Sequence, residues 1–225
     1  MAKGQNTTKE RAVAIIKILR IATKDMVAPA ATTITKQYGR NPFLILISCI
    51  LSLRTRDTVS LPASQRLFEH AQTPQTLLLL SPSTIEKLIY PTGFYRHKAK
   101  EILAICTILL EKYKGKVPNT HEELIALPGV GPKTANLVLA EGFGIPAICV
   151  DTHVHRISNR LGLVKSKTVE QTEEQLKLVL PKHYWSEYNK LMVMWGQNIC
   201  VPISPKCSIC PLLPLCPQIG VVRHR

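Results

Sequence analysis

Apolar positions recur at three- and four-residue intervals along nearly the whole chain, and no alternating stretch of useful length interrupts them. The pattern predicts an all-α fold. Ala12, Val13, Ile16 and Leu19 share one face of a first helix, which the capping-box pattern Thr7-x-x-Glu10 is expected to open. Residues 43–53 are apolar on all sides, as in a helix buried in a bundle, and the polar stretch Arg54-Thr-Arg-Asp57 ends it. A helix over 61–71 is expected next, with Pro62 in its first turn, then short helices over 74–80 and 84–90. Residues 95–113 form a strongly amphipathic helix with Ala99, Leu103, Cys106 and Leu110 on one face and a basic start; Gly115 closes it. Thr120-x-x-Glu123 is a second capping box, opening a short helix that ends at Leu127. Helices from Pro132 to about Glu141, and over 152–161, 168–180 and 184–197, complete the pattern. There is no internal repeat and no low-complexity tract.

The 225 residues are 45% hydrophobic and 20% charged, a composition that suits a folded chain with a sizeable core. Lys and Arg number 29 against 15 Asp and Glu, a formal net charge of +14, and such an excess favours a polyanionic partner. The most apolar run, 43–51, falls far short of the roughly 20 residues a membrane-spanning helix needs. The first ten residues lack the apolar stretch and cleavage site of a secretory signal, so the expected compartment is the cytoplasm, in association with the nucleoid. Of seven cysteines, Cys49, Cys106 and Cys149 lie in apolar surroundings, where a free cysteine acts as a small core hydrophobe. An odd total with no export signal argues against a disulfide framework.

Two short helices flank Pro128-Gly129-Val130-Gly131. Glycines permit a tight turn and let backbone N–H groups approach a phosphate unobstructed. Pro132 occupies the usual first position of the second helix, whose N-terminus can hold an anion. Leu127 and Val130 would pin the turn to the core. This is the helix-hairpin-helix pattern for gripping a DNA backbone without reading its sequence; a plain helical hairpin would show the same Gly-x-Gly turn. Lys133 stands in the first turn after it. The positive end of the helix dipole disfavours a charged amine there, partial burial would push the same way, and a neutral amine can attack carbon. Asp151 directly precedes a helical run, so taken alone it reads as an N-cap, and His153 as a satisfied polar residue.

Cys200, Cys207, Cys210 and Cys216 are spaced C-x6-C-x2-C-x5-C. Four thiolates this close can wrap one metal centre, and the spacing alone accepts either a [4Fe–4S] cluster or a structural zinc ion.

The strings LPGVGPKTANLVL and VDTHVHRISNRLGL, with this cysteine spacing after them, closely resemble the endonuclease III family, nearly end to end from Ile15 to Cys216. The resemblance implies a helix-hairpin-helix DNA glycosylase fold. A six-helix barrel domain would span 30–144, with the hairpin at about 120–141. A helical iron–sulfur cluster domain would be built from 1–29 and 145–225, with a DNA cleft between the two. It implies a bifunctional enzyme acting on duplex DNA with damaged bases or abasic sites. The damaged nucleotide is flipped out of the stack. Lys133 attacks C1′, Asp151 is the essential acidic partner, and the Schiff base undergoes β-elimination. It implies a [4Fe–4S] cluster on the four cysteines. Arg54 matches the loop that plugs the hole left by the flipped base, at a position where many members carry glutamine. Phe94 matches an apolar wedge. Leu127, Gly129, Val130, Gly131, His153 and Lys206 join the DNA-binding set. Lys206 is the lone cation between Cys200 and Cys207, so either the phosphate contact is weaker here or Lys190 or the tail 223–225 supplies it.

Other readings stay open beside this one. A mismatch-base glycosylase of the same superfamily is prompted by Arg54. A non-catalytic helix-hairpin-helix DNA-binding protein with a structural metal site would need neither Lys133 nor Asp151. A monomer is the simplest expectation.

Overall fold

The structure is a computed structural model that describes residues 2–225, with side chains from residue 7 onward. It is helical throughout, with no strand among the described residues. The chain forms two compact units: residues 29–145, and the N-terminal segment to Ala28 together with Pro146–Arg225.

Helix α1 spans Ala2–Ala22. The capping box expected at Thr7 does not open it, because the helix has already begun five residues earlier, and Thr7 and Glu10 lie in its interior.

The unit 29–145 begins with α2 (Ala30–Tyr38), a helix the apolar pattern did not reveal. Its start is held by Asp57, whose Oδ2 accepts from the Ala30 N–H at 3.1 Å. Helix α3 (Pro42–Ser52) is capped by Asn41, which accepts from the N–H groups of Phe43 and Leu44, and residues 43–51 are all buried. Helix α4 runs Asp57–His70, four residues longer at its start than the sequence suggested. Pro62 therefore lies inside it rather than in its first turn; the helix simply forgoes the one N–H bond that Pro62 cannot donate. Short helices α5 (Pro74–Leu78) and α6 (Pro82–Ile89) are capped by Thr73 and Ser81. Helix α7 (Tyr95–Tyr113) ends in Lys114 and Gly115, both left-handed, with the Gly115 N–H returning to the Leu109 carbonyl. Helix α8 is His121–Ile125, capped by Thr120 and two residues shorter than expected. Helix α9 (Pro132–Leu137) continues as a π-helical segment, Val138–Phe143. There the two oxygens of Glu141 accept from the hydroxyls of Thr32 and Thr35 on α2, each at 3.1 Å.

Helix α3 is the axis of this unit. It packs against α2, α4, α7, α9 and the π segment. Gly142 allows the π segment to approach α3 closely, since a Cβ there would stand 2.9 Å from the Pro42 Cα. Burial raises the Cys49 and Cys106 thiols to about 12, as befits inert core residues.

The other unit joins α1 to α10 (Thr152–Arg160), α11 (Val169–Val179) and α12 (Trp185–Asn198). Its core gathers Ile15, Ile16 and Leu19 of α1 with Val154, Ile157, Leu176, Tyr188, Met192 and Trp195. The Tyr188 hydroxyl meets Ser158 Oγ at 2.9 Å. On the surface Arg20 pairs bidentately with Glu187.

Candidate functional site

The hairpin turn separates two roles for its glycines. Gly129 is left-handed at φ +71°, and a Cβ there would meet the Glu101 carboxylate at 2.8 Å. Gly131 has extended geometry, φ −95°, and nothing lies within 4 Å of where its Cβ would be. The first glycine makes the turn; the second leaves the start of α9 open to an approaching group. Leu127 and Val130 are buried, which pins the turn to the core, and the Val130 N–H closes it on the Leu127 carbonyl. Lys133 is the second residue of α9 and is exposed, so burial does not add to the effect of the helix end there.

A second group of residues stands on two turns of the same unit. Arg54, after α3, and Phe94, before α7, both adopt left-handed backbone angles, φ 51° and 58°. Such angles are uncommon for side chains of this size and cost of order 1 kcal/mol or more each. Phe94 is 64% exposed, so it is no core aromatic. The Arg54 guanidinium lies 5.6 Å from the centre of its ring. Beneath them is Lys98, one of several bases in the basic start of α7. It is 3% exposed, and its Nζ donates to the carbonyls of Leu51 and Leu53, each at 2.7 Å, and to Thr55 Oγ1 at 2.9 Å. Burial lowers its pKa from the usual 10.5 to about 8, and the carboxylate of Glu101 opposes the shift.

In the other unit, Asp151 is the N-cap of α10. One oxygen, Oδ1, accepts from the N–H groups of His153 and Val154 at 2.9 and 2.8 Å. The carboxylate is thereby fixed in orientation with Oδ2 outside the cap. His153 is half-buried and lies over Gly196, where a Cβ would collide with its ring. Its Nδ1 is 3.1 Å from a guanidinium nitrogen of Arg156.

The four cysteines near the C-terminus line a single pocket with Ile157, Leu161 and Trp195. Burial raises the thiols of Cys210 and Cys216, and the other cysteines add to the effect. No group of three or more His, Cys, Asp or Glu side chains among the described residues is arranged to hold a metal ion directly. Two arginines on successive turns of α10, neither singled out in the sequence, support this loop. Arg156 donates to the Cys200 carbonyl at 2.9 Å. Arg160 donates to Cys200 Sγ at 3.4 Å and to the carbonyls of Val201 and Pro202. Their four-residue spacing was the signal available in the sequence. Lys206 is half-buried, and the tail returns beside it, with the Arg225 N–H on the Pro205 carbonyl and the Ser208 N–H on Arg225.

An all-helical fold with this hairpin defines a class: residues 47–182 match the HhH-GPD superfamily of base excision DNA repair proteins. The Endonuclease III of Thermotoga maritima is 51% identical over 190 residues, which cover 82% of this chain and 89% of that one. Endonuclease III-like protein 1 of Mus musculus is 46% identical over 178 residues, 78% of this chain but 59% of the longer mouse protein. Among solved structures, a trapped covalent intermediate of an Endonuclease III with DNA aligns with a TM-score of 0.81 at 37% identity, over 93% of this chain and 96% of that one. The chain belongs to the endonuclease III family. No helix among the described residues is long and apolar enough to cross a membrane.

Proposed function

We propose that this protein is a DNA glycosylase with AP lyase activity, which removes oxidised pyrimidines from duplex DNA and then nicks the strand. The observation that carries the reading is the place of Lys133, directly after the hairpin, in a chain that aligns with an Endonuclease III trapped covalently on DNA.

In this reading the open turn at Gly129–Gly131 receives a backbone phosphate. The damaged nucleotide leaves the stack, and Arg54 and Phe94 fill the gap it leaves. The Lys133 amine, having given up a proton, attacks C1′; the bond from C1′ to the base breaks, and the base departs with the electron pair and takes a proton. The sugar ring opens to a protonated Schiff base. Loss of a C2′ proton then expels the 3′ phosphate by β-elimination, and water releases the lysine. Asp151 is assigned the proton from the lysine and the stabilisation of positive charge on the sugar. Its bond pattern supports this, since the cap occupies one oxygen and orients the other.

The four thiols would hold a [4Fe–4S] cluster, which supplies a rigid tie for the loop 200–216. Their convergence on one largely apolar pocket and their soft donor set fit such a group. Iron and sulfide analysis against zinc, on protein purified without oxygen, tests the assignment. Lys206, His153 and the basic tail are assigned phosphate contacts.

The chemistry is tested with a duplex bearing one thymine glycol, borohydride, and Lys133→Gln in parallel. A covalent adduct with the wild type that is absent from the variant is the expected result. An adduct formed only on an abasic site would keep the lyase and move the lesion preference towards mismatched bases. No adduct on either substrate would overturn the reading.

A further inference from the structure

An ammonium group with 3% exposure is tolerated only when its hydrogen bonds are made, and all three donors of Lys98 are engaged. Two of its acceptors, the Leu51 and Leu53 carbonyls, belong to the end of α3, where a helix has no partners of its own to offer. The third, Thr55 Oγ1, also accepts from the Gly93 N–H at 3.1 Å. The Lys98 N–H in turn donates to the Phe94 carbonyl at 3.0 Å. One residue thus ties the turn that presents Arg54 to the turn that presents Phe94. Gly93 is where the two turns come closest, since a Cβ there would stand 3.1 Å from the Arg54 carbonyl. Two neighbouring left-handed residues with solvent-facing side chains persist only where their surroundings over-determine them, and Lys98 is at the centre of those surroundings.

We propose that Lys98 is a positioning residue for duplex entry: it locks the Arg54 and Phe94 turns into one unit and so sets how far the base opposite the lesion is displaced. The inference rests on the reading of Arg54 and Phe94 given under the proposed function. An apolar side chain could fill the same space, but it would take the donor from the Leu51 carbonyl and leave the Leu53 carbonyl with only the Thr55 hydroxyl, and that hydroxyl with only the Gly93 N–H. The loss would fall on the relative placement of the two turns, not on the burial of α7.

The test reads insertion without chemistry. A duplex carries a tetrahydrofuran abasic analogue with 2-aminopurine opposite, and fluorescence reports unstacking of that base on binding. Wild-type protein is expected to give a rise. With Lys98→Met at saturation, the ratio of inserted to uninserted complex is expected to fall roughly tenfold, the scale of a lost charged hydrogen bond. Thr55→Val removes the shared hydroxyl alone and is expected to give a smaller loss in the same direction; it decides the matter by itself if Lys98→Met does not fold. An undiminished rise in the folded variants overturns the proposal. No rise with wild-type protein overturns it too, by removing the role of Arg54 and Phe94. A preserved rise in protein that forms no borohydride adduct would count against the Lys133 chemistry alone and leave the Lys98 comparison standing.

Discussion

The guanidinium of Arg54 and the ring of Phe94 lie 5.6 Å apart, although 40 residues separate them in the chain, and both stand in the left-handed region of the backbone. Neither side chain has a core to fill. An exposed contact of this kind contributes only ~0.5–1 kcal/mol, too little to explain two strained residues. Arg54→Gln is therefore expected to leave the melting temperature nearly unchanged while altering the relative rates of excision opposite the four bases. Single-turnover rates on four duplexes that differ only at the opposite base check this. Equal changes on all four would show that Arg54 does not read the partner strand.

Asp151 caps α10, and the proposed function gives it a catalytic role that one pair of substitutions separates from the cap. Asparagine caps a helix about as well as aspartate, whereas alanine costs roughly 1 kcal/mol. Asp151→Asn should keep the stability of the wild type and lose most of the lyase rate; Asp151→Ala should lose both. Denaturant titrations beside single-turnover assays give the two readings. An active Asp151→Asn variant would reduce this residue to a cap.

The hairpin glycines should behave in opposite ways. Gly129→Ala meets a positive φ and the Glu101 carboxylate, and a cost of about 1–2 kcal/mol is expected. Gly131→Ala meets neither, so stability should hold while affinity for duplex DNA falls. Unfolding curves and fluorescence anisotropy on a labelled duplex distinguish them. Weaker binding by a folded Gly129→Ala with Gly131→Ala unaffected would reverse the assignment.

Lys98 makes stability and insertion respond oppositely to pH. Its folded pKa of about 8 lies below the 10.5 of an ordinary lysine. Between these values the unfolded chain binds more protons than the folded one, so folding stability rises with pH from about 8 towards 10.5. Below pH 8 both states are protonated, and the burial penalty is fully present. Deprotonation also removes one of three donors, so the 2-aminopurine rise should weaken as pH passes 8. Urea unfolding at pH 7.5 and 9, with Lys98→Met as the control lacking the slope, measures the first effect. A wild-type slope equal to that of the variant would remove Lys98 from the account.

Much of this was legible in the sequence because it is local. The span of α7, the buried run of α3, the hairpin turn and the cap at Asp151 each follow from residues within a few positions of one another. Helix α2 was not legible, because its buried face is small, Ala30, Ala31 and Ile34, and its start is fixed by Asp57 from another helix. The start of α4 was hidden in the polar stretch before it. Lys98 looks like its neighbours Arg96, His97 and Lys100 until the end of α3 is folded against it. Arg156 and Arg160 become meaningful only when the loop 200–202 is placed beside α10.

The unit that draws on both ends of the chain imposes an order on biosynthesis. Residues 29–145 can condense while translation continues, since α2 to α9 are contiguous. Helix α1 leaves the ribosome first, yet its apolar face of Ile15, Ile16 and Leu19 is buried against helices made last. That face must wait, shielded or exposed, until Tyr188, Met192 and Trp195 emerge, a long closure that is slow and open to misassembly. The cysteine loop follows still later. The half that carries Asp151 is thus completed later than residues 29–145, and an intermediate that waits for it exposes the apolar face of α1.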